Sequence, residues 1–125
     1  MVGVDIINVD RVAKLNKKEA FIAKVLTNQE QEYLRKKSTK VNNQYSEYDY
    51  SLAGFWAAKE AVLKSLELGL IENLQNVEIL HKPSGAPYVN LDKDFCKKHN
   101  ISTKTSIHIS ISHDAGCAIC MCHIA

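Results

Sequence analysis

The sequence has no apolar run of the length needed to cross a membrane, and its net charge is only +2. Spanning lipid takes about 20 consecutive apolar residues. So small a charge gives no electrostatic ground for binding nucleic acid, and Lys and Arg are not interleaved with aromatics as on a single-strand stacking surface. The start, Met1-Val2-Gly3-Val4-Asp5, has no basic region ahead of an apolar stretch. A cytosolic protein without a secretory signal is therefore expected, with reduced thiols. No internal repeat and no dividing linker are present, which predicts one domain over 1–125, large enough for a core without staples. Proline is scarce, and both copies, Pro83 and Pro87, fall in "HKPSGAP". What is abundant is ordinary for a globular chain: 46% apolar and 24% charged residues.

Three of the four cysteines, Cys117, Cys120 and Cys122, crowd the C-terminal "CAICMCHI". A zinc site needs four converging ligands, usually as two Cys pairs or a Cys pair with a His pair. Only one Cys-x-x-Cys is present, and Met121 stands where haem attachment would need His. As a strand, the segment sends Cys117, Ile119, Met121 and His123 one way and Ala118, Cys120, Cys122 and Ile124 the other. Cysteines split in this way read as small packing residues. A metal-binding or redox protein built on them is the rival reading.

Along the chain, Val2 to Val9 reads as a strand interrupted by Asp5. Asn8 or Asp10 could cap a helix to about Leu15, and a second helix holds Phe21, Ile22, Val25 and Leu26. "TNQE" is a capping box, with Thr27 and Glu30 exchanging bonds at the start of a helix through Leu34. The polar residues 38–50 read as a loop. A long helix follows, capped by Ser51 and ended by Gly69, with an apolar face of Leu52, Phe55, Trp56, Val62, Leu63 and Leu66. "VEIL" and "YVNL" read as strands around the proline turn, 93–99 as a short helix, and "TSIHISIS" and "CAICMCHI" as a closing pair. Strand, helices, then mainly strands predicts an α+β fold, a mainly antiparallel sheet packed on the long central helix.

Some polar residues sit badly in that scaffold. Asp5 lies among apolar residues, where an unpaired carboxylate is costly to bury. Glu60 and Lys64 are four apart on the long helix, beside Ala53, Ala57 and Ala61, which leave room for something to approach. One reading is a solvent-facing ion pair worth a few tenths of a kcal/mol. The other is a Mg²⁺ site, with two carboxylates supplemented by phosphate oxygens and a neighbouring lysine. His113, at a strand's end, is either a surface turn residue or part of the same site. Ser112 points away from it, which argues against a Ser-His dyad.

"GVDIINVDRV", "FIAKVLTNQE", "LAGFWAAKEAVLKSL", "GAP" and "ISISHD", in this order, resemble the holo-acyl-carrier-protein synthases, small bacterial 4′-phosphopantetheinyl transferases. The resemblance covers nearly the whole chain. It implies transfer of phosphopantetheine from coenzyme A to a serine of apo acyl carrier protein, in support of fatty acid biosynthesis. It implies Asp5 and Glu60 as Mg²⁺ ligands and, together with Lys64, as catalytic residues, with Lys64 and His113 near the phosphates and Lys64 handling a proton. Lys59 and the Gly85-Ala86-Pro87 turn fall at coenzyme-A-contacting positions. Arg11, Lys17 and Lys24 fall on the basic surface that meets the carrier protein, in a stretch of 40 residues with nine Lys or Arg against five Asp or Glu. The resemblance further implies a homotrimer with sites between subunits, where Asp5 and His113 could meet Glu60 across an interface.

Two positions depart from the family pattern. Phe55 replaces an arginine, and Glu67-Leu68-Gly69 replaces a Gly-x-Gly turn, which makes its first position less permissive.

Overall fold

The computed structural model describes residues 1–69 and 73–125. The chain runs β1 (Val2–Asn8), α1 (Val9–Ala13), α2 (Lys18–Val25), α3 (Asn28–Arg35), β2 (Val41–Asn42), β3 (Tyr45–Ser46) and α4 (Glu47–Ser65). A 3-10 turn at Leu74–Asn76 leads to β4 (Val77–His81), β5 (Pro87–Leu91), α5 (Lys93–Lys98), β6 (Ile107–Asp114) and β7 (Cys117–Ile124). Among the described residues every strand pair is antiparallel, in a three-stranded sheet ordered β1-β7-β6 and two hairpins, β2-β3 and β4-β5. The predicted α+β class holds, with α4 lying across the larger sheet.

Local chemistry sets the boundaries. Asn8 caps α1 by accepting from the Asp10 amide at 3.0 Å. The capping box forms: Glu30 N donates to Thr27 Oγ1 and Thr27 N to Glu30 Oε1, at 3.3 and 2.8 Å. Helix α4 differs from its sequence reading at both ends. It starts at Glu47, where Ser46 Oγ accepts from the Asp49 amide at 3.1 Å. Residues 38–50 are thus no simple loop but a short hairpin and the first turn of α4, with Tyr45, Tyr48 and Tyr50 packed on the core. At the other end the helix stops at Ser65 rather than running to Gly69. Glu67 turns left-handed, at φ 59°, and Leu68 N donates to Leu63 O while Glu67 N donates to Lys64 O. That is a Schellman closure with glutamate in the place glycine prefers.

The small residues of α4 do leave room, but the protein's own sheet fills it. Ala53, Ala57 and Ala61 are fully buried. A Cβ on Gly3 would lie 2.2 Å from Ala61 O and 2.6 Å from Ser65 N, so β1 and α4 touch backbone to backbone. In β7, Ala118, Cys120, Cys122 and Ile124 face this core while Ile119, Met121 and His123 face out, as the alternation predicts. Ser65 Oγ donates to Cys122 Sγ at 3.1 Å. Burial first, then the neighbouring Cys122, push the Cys120 thiol up to about 12, unlike an activated or metal-binding cysteine. Where β1 meets β7 the outer face of the same sheet is apolar too, while His108, Ser110 and Ser112 make it polar along β6. Val4 lies opposite Met121 and Ile6 opposite Ile119, and with Val2 these five side chains stand exposed.

Candidate functional site

Where β1 crosses α4, the alternation that turns Gly3 and Ile7 into the core turns Asp5 inward between them. Asp5 Oδ1 accepts from Lys64 Nζ at 2.9 Å, and the same ammonium donates to Val4 O at 3.0 Å. Asp5 Oδ2 is buried and has no hydrogen-bond partner among the described residues. Glu60, partly buried, lies one helical turn before Lys64. Asp5 and Lys64 therefore meet within one chain, with Glu60 on the adjoining turn. The carboxylate oxygen left unsatisfied at this point suits a cation, because burying it without a partner is unfavourable. Among the described residues no group of three His, Cys, Asp or Glu side chains is placed to hold a metal. A metal here would draw further ligands from substrate or water, as Mg²⁺ commonly does.

His113, Gly85 and Pro87 gather in a second place, a cleft of about 260 Å³. His113 lies 4.7 Å from the Tyr50 ring, and the Tyr50 hydroxyl accepts from Gly116 N in the β6-β7 turn at 2.9 Å. The opposite wall is aromatic: His81 stacks on Tyr33 at 3.9 Å, and Phe55 stands edge-on to both, at 6.0 and 5.7 Å. Burial, then the nearby Lys37, hold His81 below the usual histidine range, which favours the neutral ring. Phe55 brings no charge, but Lys37 Nζ sits 4.7 Å over Tyr33 in the same cleft. The cleft opens into a neighbouring hollow of about 490 Å³ that shares Lys37, Tyr50, Ser51 and His113 and adds Lys40. Lys37, Tyr50 and His81 went unnoticed in the sequence. The run Lys36-Lys37-Ser38-Thr39-Lys40 was the available signal, since it places cations on a turn leaving a helix.

The two places are separate on one chain. Asp5 registers through Cys120 with Ile111, and His113 lies two residues beyond. Strand spacing and rise put their backbones roughly 12 Å apart.

Lys59 belongs to neither and corrects the expectation that it contacts coenzyme A. It is fully buried, donating to Glu30 Oε1 at 2.8 Å, Leu74 O at 3.1 Å and Val77 O at 2.6 Å, so all three ammonium hydrogens are used. Glu30 Oε2 in turn accepts from Ile79 N at 2.8 Å. Burial lowers the Lys59 pKa while Glu30 works against that shift. The pair ties α3, α4 and β4 together inside the protein.

On α1 and α2 the cations sort themselves. Lys14 pairs with Asp10 at 3.1 Å and Lys18 with Asp49 at 3.0 Å. Arg11, Lys17 and Lys24 are exposed and have no ion-pair partner among the described residues. No described helix is long and apolar enough to cross a membrane.

The family model of the 4′-phosphopantetheinyl transferase superfamily matches residues 1–120. The holo-(acyl-carrier-protein) synthase of Caldicellulosiruptor saccharolyticus is 34% identical, over 99% of this chain and 94% of its own. That of Campylobacter fetus subsp. fetus is 37% identical, over 95% and 94%. Among solved structures, the Helicobacter pylori holo-(acyl-carrier-protein) synthase in complex with coenzyme A superposes with a TM-score of 0.81, at 32% identity and complete coverage of both chains.

Proposed function

Because the chain belongs to the 4′-phosphopantetheinyl transferase superfamily, we propose that it converts apo acyl carrier protein to the holo form with coenzyme A as donor. The carrier serine oxygen bonds to the phosphorus that bears the pantetheine arm. The bond from that phosphorus to the bridging oxygen breaks, adenosine 3′,5′-bisphosphate leaves, and the serine proton passes to water or a carboxylate. Such chemistry asks for positioning and charge neutralisation more than for a protein nucleophile.

One observation carries the reading: a buried carboxylate oxygen of Asp5 that no described residue partners, beside Lys64 and a turn from Glu60. Asp5 and Glu60 would hold Mg²⁺, which when bound supplies positive charge to the pyrophosphate oxygens. Lys64 adds its own charge at the same point. His113, with Lys37 and Lys40 nearby, faces the remaining anionic groups of the nucleotide, and Gly85 and Pro87 form the wall beside them. The three unpaired cations Arg11, Lys17 and Lys24 form the docking surface for the acidic carrier protein, since charge complementarity steers such encounters.

The protein acts as a homotrimer of single-domain chains. The apolar patch on the outer face of β1 and β7 (Val2, Val4, Ile6, Ile119 and Met121) is a surface that assembly would cover. A neighbouring chain's His113 would then stand where the 12 Å gap leaves Asp5 and Glu60 without it. Its place is the cytosol, which suits four free thiols.

The test mixes protein, Mg²⁺, coenzyme A and apo carrier protein and seeks the phosphopantetheine adduct by mass spectrometry. Absence of adduct, while another synthase works in parallel, refutes the function. Asp5→Ala and Glu60→Ala should each abolish turnover with the fold retained, and turnover by either variant removes that residue from the site. Mixing Asp5→Ala chains with His113→Ala chains should restore part of the activity if sites span subunits. No restoration from verified mixed oligomers refutes the shared site.

A further inference from the structure

Arg11, the one arginine among the unpaired cations of α1 and α2, does not stand free. Its guanidinium carbon lies 4.6 Å from the ring centroid of Trp56, the only tryptophan in the chain. Phe21 on α2 lies against the same ring, at 5.0 Å and tilted by 57°. Three elements therefore meet at one half-buried indole: α1 brings the cation, α2 braces the ring and α4 carries it. Trp56 also shares a stripe of α4 with Glu60 and Lys64, at successive intervals of four residues. The place where Arg11 is held is thus one helical turn, about 6 Å of rise, from Glu60.

We propose that Trp56 is a positioning residue that holds the Arg11 guanidinium for an acidic helix of the carrier protein, so that docking is registered to the Glu60 turn. A flexible arginine would otherwise lose rotamer freedom on pairing with a carboxylate. Resting on the indole face, it has lost part of that freedom beforehand and keeps its hydrogen-bonding edge for the partner. This inference rests on the reading that Arg11 belongs to the docking surface, and the experiment separates the two.

Steady-state kinetics of four proteins decide it: wild type, Arg11→Ala, Trp56→Leu and the double variant. Trp56→Leu should raise KM for apo carrier protein roughly two- to fivefold, with the change confined to that constant and KM for coenzyme A held. Trp56→Phe, which keeps a π face, should recover most of the wild-type value. In the Arg11→Ala background Trp56→Leu should add nothing, because the two act as one unit. A rise with Arg11→Ala but none with Trp56→Leu, or additive rises, overturns the positioning role and leaves the docking surface standing. No rise with Arg11→Ala removes the docking reading and this inference with it. Should Trp56→Leu fail to fold, Arg11→Ala still reports, because the sole tryptophan must change its emission when the cation over it is removed. Unchanged emission overturns the proposal.

Discussion

Replacing Gly3 by alanine should be among the most damaging single-methyl changes available to this protein. The added Cβ would lie 2.2 Å from Ala61 O and 2.6 Å from Ser65 N, whereas ordinary contact begins near 3.4 Å. Both obstacles are helix backbone, so no side chain can rotate aside, and β1 must lift from α4 by about 1.2 Å. Overpacking of this kind costs about 3 kcal/mol. The gain of alanine over glycine within a strand returns only about 0.5–1 kcal/mol. A net loss of about 2 kcal/mol in a domain of this size lowers Tm by about 8 °C. Asp5 lies two residues along the same strand, and its 2.9 Å bond to Lys64 would not survive that displacement. Misplacement by about 1 Å can cost on the order of 100-fold in rate. Thermal melts and turnover measured together check the reasoning. A variant that melts within 2 °C of wild type and turns over normally refutes the claim that this crossing sets the site.

Other perturbations have equally definite outcomes. Lys59→Met should lose about 3–5 kcal/mol in urea unfolding because it strands a buried Glu30, and adding Glu30→Gln should recover part of that. Glu67→Gly should gain about 1 kcal/mol by removing a left-handed glutamate, seen as a higher urea midpoint. For Cys120, raised from 9.0 to about 12 by burial, the unfolded thiol ionises first, so its contribution to stability is full below pH 9 and falls as pH rises toward 12. Cys120→Ala should flatten that part of the stability-pH curve. At pH 8 a thiol reagent should label Cys117 in the native protein and Cys120 only after unfolding, since Cys120 is fully buried and Cys117 is not.

Much of this was readable beforehand because local rules and tertiary packing agree. Thr27-Asn28-Gln29-Glu30 specifies its capping box without outside help, and the alternation in β7 assigns each cysteine its face. Asp5 was visible as a carboxylate in an apolar strand. The features a sequence does not display depend on distant partners. Ser46-Glu47-Tyr48-Asp49 competes with Ser51 as a helix start, and only the packing of three tyrosines favours the earlier one. Lys59 and Lys64 sit in one helical motif and differ by face alone. The face that buries Lys59 is defined by Glu30, 29 residues away. The alanines invited a ligand reading because a sequence does not distinguish space left for a substrate from space left for a strand.

The buried Glu30–Lys59 pair also constrains how the sequence can drift. Lose the lysine, and an anion remains in the core; lose the glutamate, and a buried cation remains with two carbonyls and no carboxylate in contact, only the weaker pull of Glu78. Either single step passes through an unstable protein, so descendants should keep both residues or exchange both, and the two positions should be inherited as one character. The motif around Lys59 would then look conserved for catalysis when part of it is conserved for a partner on another helix.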